Sequence, residues 1–219
     1  MHYSIVWLLG VLTLGLLSPG PDFLLILRNS LGPRRARAFG TVAGIGCGLA
    51  VQSLAISLGF AALPPAAMRV VQLIGAAYLA YLGLRALFSS PPPVLDSEER
   101  KFMSRSRHEF ASSAIQLSPA FRSGFIDGVV CNVTNPKVFI FFVGVFAQVL
   151  PPAATLGWRI LVPACVVIHG LVLWSLIVLA LRSPPVAGQL ARAQHWLPRA
   201  FGVALLTLAA WIGYSAIVA

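Results

Sequence analysis

Apolar stretches recur along this chain at about 4–27, 39–63, 67–88, 123–149, 157–181 and 200–218, and no other feature constrains the fold as tightly. The hydrocarbon core of a bilayer is roughly 30 Å thick and takes about 20 mostly apolar residues per helical span. Six spans fit, with little chain to spare. Of the 219 residues, 58% are hydrophobic and 10% charged, against about 25% charged in an ordinary soluble domain. A membrane barrel would show segments of roughly 10 residues alternating between apolar and polar, and the run 70–87 does not alternate. The sequence therefore predicts an all-α, polytopic membrane protein with six transmembrane helices.

The net charge of +10 follows membrane topology and not nucleic-acid binding, because the basic residues flank the spans and do not gather in a folded basic domain. Arg28, Arg34, Arg35, Arg37, Arg85, Arg100, Lys101, Arg105, Arg107, Arg122, Arg182, Arg192 and Arg199 fall on the side of the first, third and fifth loops. Only Arg69 and Arg159 fall on the other. The positive-inside rule makes the rich side cytoplasmic, so both termini are expected on the outer, periplasmic side. The first span lacks a basic n-region and a small-x-small cleavage site, and Leu24-Leu25 continues past the prolines. It is expected to stay as a membrane helix. Cys47, Cys131 and Cys165 are odd in number and have no metal-ligand spacing, so they read as small apolar packing residues, and no metal or cofactor is expected.

The long polar segment 89–120 opens Ser-Ser-Pro-Pro-Pro and carries Asp96, Glu98, Glu99, Arg100 and Lys101. It reads as a solvated cytoplasmic tether between a first three-helix repeat, 1–88, and a second, 121–219. Three spans per half force the second half to enter the membrane from the opposite face, which is the geometry of an inverted repeat. Gly20-Pro21-Asp22 in the first span is echoed by Asn135-Pro136-Lys137 in the fourth, and the third and sixth spans carry the related runs 75–83 and 202–213. Corresponding Gly/Pro interruptions in two halves point to a transporter's midplane site.

Proline has no N–H to donate and clashes with the preceding turn, while each unsatisfied backbone group in hydrocarbon costs several kcal/mol. Breaks at 18–22 and 132–137 must therefore be buried in protein or line a cavity. Proline suits the first position of a helix and Asn the position before it, so Asn135-Pro136 reads as cap and first residue, and Gly20-Pro21 as a less specific equivalent. Each motif starts a half-helix whose free N–H groups favour a carboxylate. Beside the prolines stand residues of opposite sign, Asp22 and Lys137. They read either as a buried ion pair pinning the halves together or as the groups that serve substrate and proton, and both roles can coexist. A zwitterion would replace their mutual pairing, its carboxylate on Lys137 and its ammonium on Asp22.

Asp127 stands either deep enough to join this site or at the cytoplasmic interface beside Arg122. Asn132 either lines the chamber or satisfies backbone freed by the break. Gln52 and His169, in mid-span, read as interhelical hydrogen-bonding residues. Gly40, Gly44 and Gly48 form a GxxxGxxxG series suited to close helix packing. The phenylalanines at 139, 141, 142 and 146 read as packing and lipid contacts in preference to a substrate cage, and Trp7, Trp158, Trp196, Trp211 and Tyr214 as interfacial anchors.

The motif Ser18-Pro-Gly-Pro-Asp22, the basic loop Gly32-Pro-Arg-Arg-Ala-Arg37, the glycine series, the run from Gly75 to Arg85, and Phe121-Arg-Ser-Gly-Phe125 leading to Asn132-Val-Thr-Asn-Pro-Lys137 together resemble the LysE/RhtB family of bacterial amino-acid exporters over nearly the whole chain. The resemblance implies a six-helix inner-membrane protein that expels amino acids or close derivatives, is driven by the proton motive force, and works as a dimer. Many members have Asn at the position of Asp22, and an acid and a histidine where Leu49 and Gln52 align here. Asp22 is accordingly expected to take over some of the proton-linked role. The alternative is a channel or sensor without a transport cycle. An enzyme is not expected, for want of HExxH, G-x-S-x-G or paired metal ligands.

Overall fold

The structure, a computed structural model, describes residues 5–17, 20–32, 34–88, 118–151, 153–181 and 196–218. Most of the expected linker, Ser18 and Pro19 of the first break, and the arginines at 182 and 192 lie outside the described residues. Among those described, the regular structure is helical: α1 Ile5–Leu17, α2 Pro21–Leu31, α3 Arg35–Gly59 with a 3₁₀ turn Phe60–Ala62, α4 Pro65–Phe88, α5 Pro119–Val133, α6 Pro136–Val149, α7 Leu156–Leu181 and α8 Leu197–Val218.

Three of these are long and apolar enough to cross a membrane: α3 with its turn, α4 and α7. α1 and α2 form one pair bent by 68°, and α5 and α6 another bent by 58°. Counting each bent pair as one span gives up to five. The sixth expected span corresponds to α8, whose apolar stretch, Arg199–Tyr214, falls in a shorter class. The chain is thus a multi-pass helical membrane protein with three to five candidate spans by length and composition.

Both breaks begin new helices on proline. Gly20 is extended (φ −171°, ψ −177°) and Pro21 opens α2, while Asn135 precedes Pro136 and accepts the Lys137 N–H on its side chain. Pro136 has no N–H, so the Asn132 carbonyl four residues back loses its helical donor. The carbonyl is satisfied instead by Gln52 Nε2 across the bundle at 2.5 Å and by Asn135 N within the turn at 3.0 Å. Pro163 inside α7 frees the Arg159 carbonyl in the same way, and the Ser57 hydroxyl of α3 donates to it at 2.6 Å. The membrane rule that irregular backbone must find partners in protein is met at both sites by a polar residue of α3.

The glycine series does what its spacing predicts. A Cβ at Gly40 or Gly44 would collide with the carbonyls of Phe121 and Phe125 on α5, and one at Gly124 or Gly128 with those of Arg37 and Thr41 on α3. The two backbones touch because neither carries side chains there. Gly75 meets Gly144 where α4 crosses α6, and Gly83 meets Gly202 where α4 crosses α8. His169 Nε2 lies 2.9 Å from Thr13 Oγ1, tying α7 to α1. These contacts lock α5 and α6 against the long helices and so fix where the second break lies.

Candidate functional site

The site lies where α2 and α6 begin. Asp22, in the first turn of α2, is 5% exposed. Its carboxylate accepts from Asn132 Nδ2 at 2.6 Å, from Asn135 Nδ2 at 3.3 Å and from Cys131 Sγ at 3.3 Å. Two of the donors come from the second break and the third from the helix turn just before it, so the first-break acid is held by the chain around the second break. Asn135 serves twice: its Oδ1 caps α6 by accepting Lys137 N at 3.1 Å while its Nδ2 reaches Asp22. An acid near a helix N-terminus is favoured by the helix dipole, and a lysine there is opposed by it. The position of Lys137 is therefore not explained by helix stability.

Gly20, Asp22, Asn135 and Lys137 line one cavity with Gly15, Leu16, Phe23, Val138, Phe141, Phe142 and Trp174. A Cβ on Gly20 would lie 3.0 Å from Lys137 Nζ. Glycine at the α2 cap thus leaves room for the lysine amine beside the start of α2. The space enclosed is about 20 Å³, room for about one water molecule.

Of the residues singled out from sequence, the structure brings together Gly20, Asp22, Asn135 and Lys137 around the cavity, with Asn132 behind Asp22. Pro21 and Pro136 open the two helices and are themselves exposed. Asp127 stands apart: it pairs with Arg37 Nη2 at 2.9 Å, with both side chains about two-fifths exposed (43% and 38%), and lines a separate pocket with Pro119, Arg122, Ser123 and Ile126. Gln52 makes the expected interhelical bond, and its target is the freed carbonyl of Asn132.

Several neighbours were not singled out from sequence. Cys131, read as a packing residue, also donates to Asp22. Phe141 and Phe142 are buried as packing residues should be, yet they form cavity wall. Trp174 stands no farther from the end of its helix than Trp211, which reads as an interfacial anchor, so no sequence signal singles it out.

A family model for the LysE type translocator matches residues 13–216. The chain belongs to the LysE type translocator family. Among relatives, an uncharacterized membrane protein of Haemophilus influenzae is 30% identical over 70% of this chain and 69% of its own length. The uncharacterized membrane protein YrhP of Bacillus subtilis is 25% identical over 80% of this chain and 81% of its own length. The leucine efflux protein of Salmonella typhimurium is 28% identical over 63% of this chain, a match that spans 59% of that protein. No solved structure matches. The match of the LysE type model begins before the first break and ends beyond the second, so it covers every residue of the cavity.

Proposed function

We propose that the protein is a secondary active transporter that exports an amino acid, or a related small zwitterion, from the cytoplasm in exchange for protons. One observation carries the reading: an acid and a base, each beside a proline that opens a half-helix, line one buried cavity. Asp22 offers a carboxylate to the substrate ammonium. Lys137 and the positive end of the α6 dipole offer positive charge to its carboxylate. A relative named for leucine efflux supports an amino acid as cargo.

In this scheme the two halves are inverted repeats, 1–88 and 121–219, joined by the 89–120 linker, in a homodimer in the inner membrane with its termini outside. The glycine contacts between α4 and α8, which carry the related runs, support the repeat. A proton reaching Asp22 from outside discharges it, releases the substrate ammonium and favours return to the inward-open state. Substrate binding inside favours the outward one, as coupling requires differential affinity for two states.

Metabolite profiling tests this in cells fed mixed dipeptides, comparing the intact protein, Asp22→Asn, Lys137→Ala and empty vector. Particular amino acids should accumulate in the medium with the intact protein only. Identical media from intact protein and empty vector, with membrane insertion verified, would refute export. In sealed vesicles, flux indifferent to a pH gradient would refute the exchange of protons.

A further inference from the structure

Away from Asp22, Asn135 and Lys137, the cavity wall is apolar and includes Leu16, Phe23, Phe141, Phe142 and Trp174. Trp174 is 1% exposed and tilts against Phe23, with ring centroids 6.3 Å apart. Its Nε1 is buried and has no hydrogen-bond partner among the described residues. A buried indole N–H usually has an acceptor, so an orphaned one on a cavity residue calls for a ligand that brings an acceptor. Gly15 lines the same cavity, and a Cβ there would run into the outer edge of the Phe141 ring. The ring occupies the space that any side chain at position 15 would need.

We infer that Trp174 is a substrate-binding and specificity-determining residue. Its indole N–H donates to the carboxylate of the bound zwitterion. Its ring, with those of Phe23, Phe141 and Phe142, surrounds a neutral aliphatic side chain. The inference rests on the export reading and narrows the cargo to neutral aliphatic amino acids. A lysine or glutamate substrate would bury a third charge against this wall without a partner, which is costly in a low-dielectric site. Gly15 sets the size of the pocket through Phe141.

The test is equilibrium binding of radiolabelled leucine to the purified, detergent-solubilised protein, with competition by alanine, lysine and glutamate, alongside export from cells. Leucine should bind saturably, with lysine and glutamate competing only at far higher concentration. Trp174→Phe keeps a ring and removes the N–H; it should weaken leucine binding about tenfold or more, the value of a hydrogen bond to a charged group. Its thermal stability without substrate should fall only by what the lost bulk of a buried ring costs, while saturating leucine should raise the Tm of the intact chain more than that of the variant, and this difference separates a binding role from a structural one. Gly15→Ala should push Phe141 into the cavity and weaken leucine more than alanine.

Leucine binding unchanged in Trp174→Phe would overturn the inference, as would lysine or glutamate outcompeting leucine, and either could occur in a protein that still exports amino acids. The competition series uses the unaltered chain, so it decides the matter even if a variant misfolds. A protein that neither binds nor exports any amino acid would overturn the inference and the export reading together.

Discussion

Arg159 offers the sharpest quantitative prediction. It is 4% exposed, and its guanidinium donates to Ser57 O at 2.8 Å, Ala154 O at 3.2 Å and Pro151 O at 3.3 Å. Arg159→Met keeps length and apolar bulk but removes the donors. Pro151 O retains Ala154 N at 2.9 Å, and Ala154 is partly exposed, so water can serve its carbonyl. Ser57 is 0% exposed, and its carbonyl has no such recourse. The cost therefore concentrates there, at about 1–3 kcal/mol for a buried acceptor left unsatisfied. At roughly 2–4 °C per kcal/mol for a chain of this size, the apparent Tm should fall by about 2–12 °C. Heating the solubilised protein and measuring the surviving monodisperse fraction by gel filtration reads this shift. Arg159→Lys, which can restore one bond to Ser57 O, should lie between. Because Ser57 Oγ also serves the carbonyl freed by Pro163, Ser57→Ala and Arg159→Met should combine non-additively. An unchanged Tm in Arg159→Met, or strict additivity with Ser57→Ala, would refute this account.

At the α3–α5 crossing, Gly128→Val must force apart a pair of touching backbones at about 1–3 kcal/mol or more, lowering both Tm and export. Gly10→Ala, with nothing within 4 Å of the new Cβ, should leave export unchanged and lower Tm not at all, since Ala suits a helix interior better than Gly. Asp127→Asn breaks a half-exposed pair with Arg37 worth no more than about 1 kcal/mol, so export measured by metabolite profiling should persist. Asn135→Ala loses the α6 cap, about 0.5–2 kcal/mol, together with a donor to Asp22. Asn135→Ser restores the cap alone, so its Tm should recover while export stays low.

Much of the fold was legible because proline and glycine act through backbone rules that do not depend on tertiary context. Pro136 had to free the Asn132 carbonyl, and Asn135 was a cap by its chemistry. The residue that answers the freed carbonyl, Gln52, could be recognised as an interhelical donor, but its target could not be named without the packing of α3 on α5. The same limit hid Cys131 and Trp174. A thiol and an indole are apolar by composition, and only the meeting of α2, α5 and α7 decides whether one bonds an acid and the other lines a cavity. Asp127 shows the converse. Spacing left it a place in the chamber or at the interface, and Arg37 of α3, far away in sequence, pairs with it outside the cavity.

The small cavity volume bears on how export would proceed. A space of about 20 Å³ holds about one water molecule, so an amino acid enters only if walls separate. The glycine crossings of α3 with α5, and of α4 with α6 and α8, bring backbones into contact, and separating them would forfeit dense packing on both sides. The bonds from Asn132, Asn135 and Cys131 to Asp22 are different, because a substrate ammonium can replace them. The natural place for opening is therefore the seam between α2 and the second break. In the proposed cycle the carboxylate would there exchange neutral protein donors for the substrate's charge. On this argument Asn132→Ala, which removes the 2.6 Å bond and adds no bulk against Gly48, should loosen the seam without parting the glycine crossings. Alkylation of Cys131 in the intact membrane should then be faster than in the unaltered chain, and saturating substrate should slow it. Equal rates in both proteins would mean that the Asp22 bonds do not hold the cavity shut.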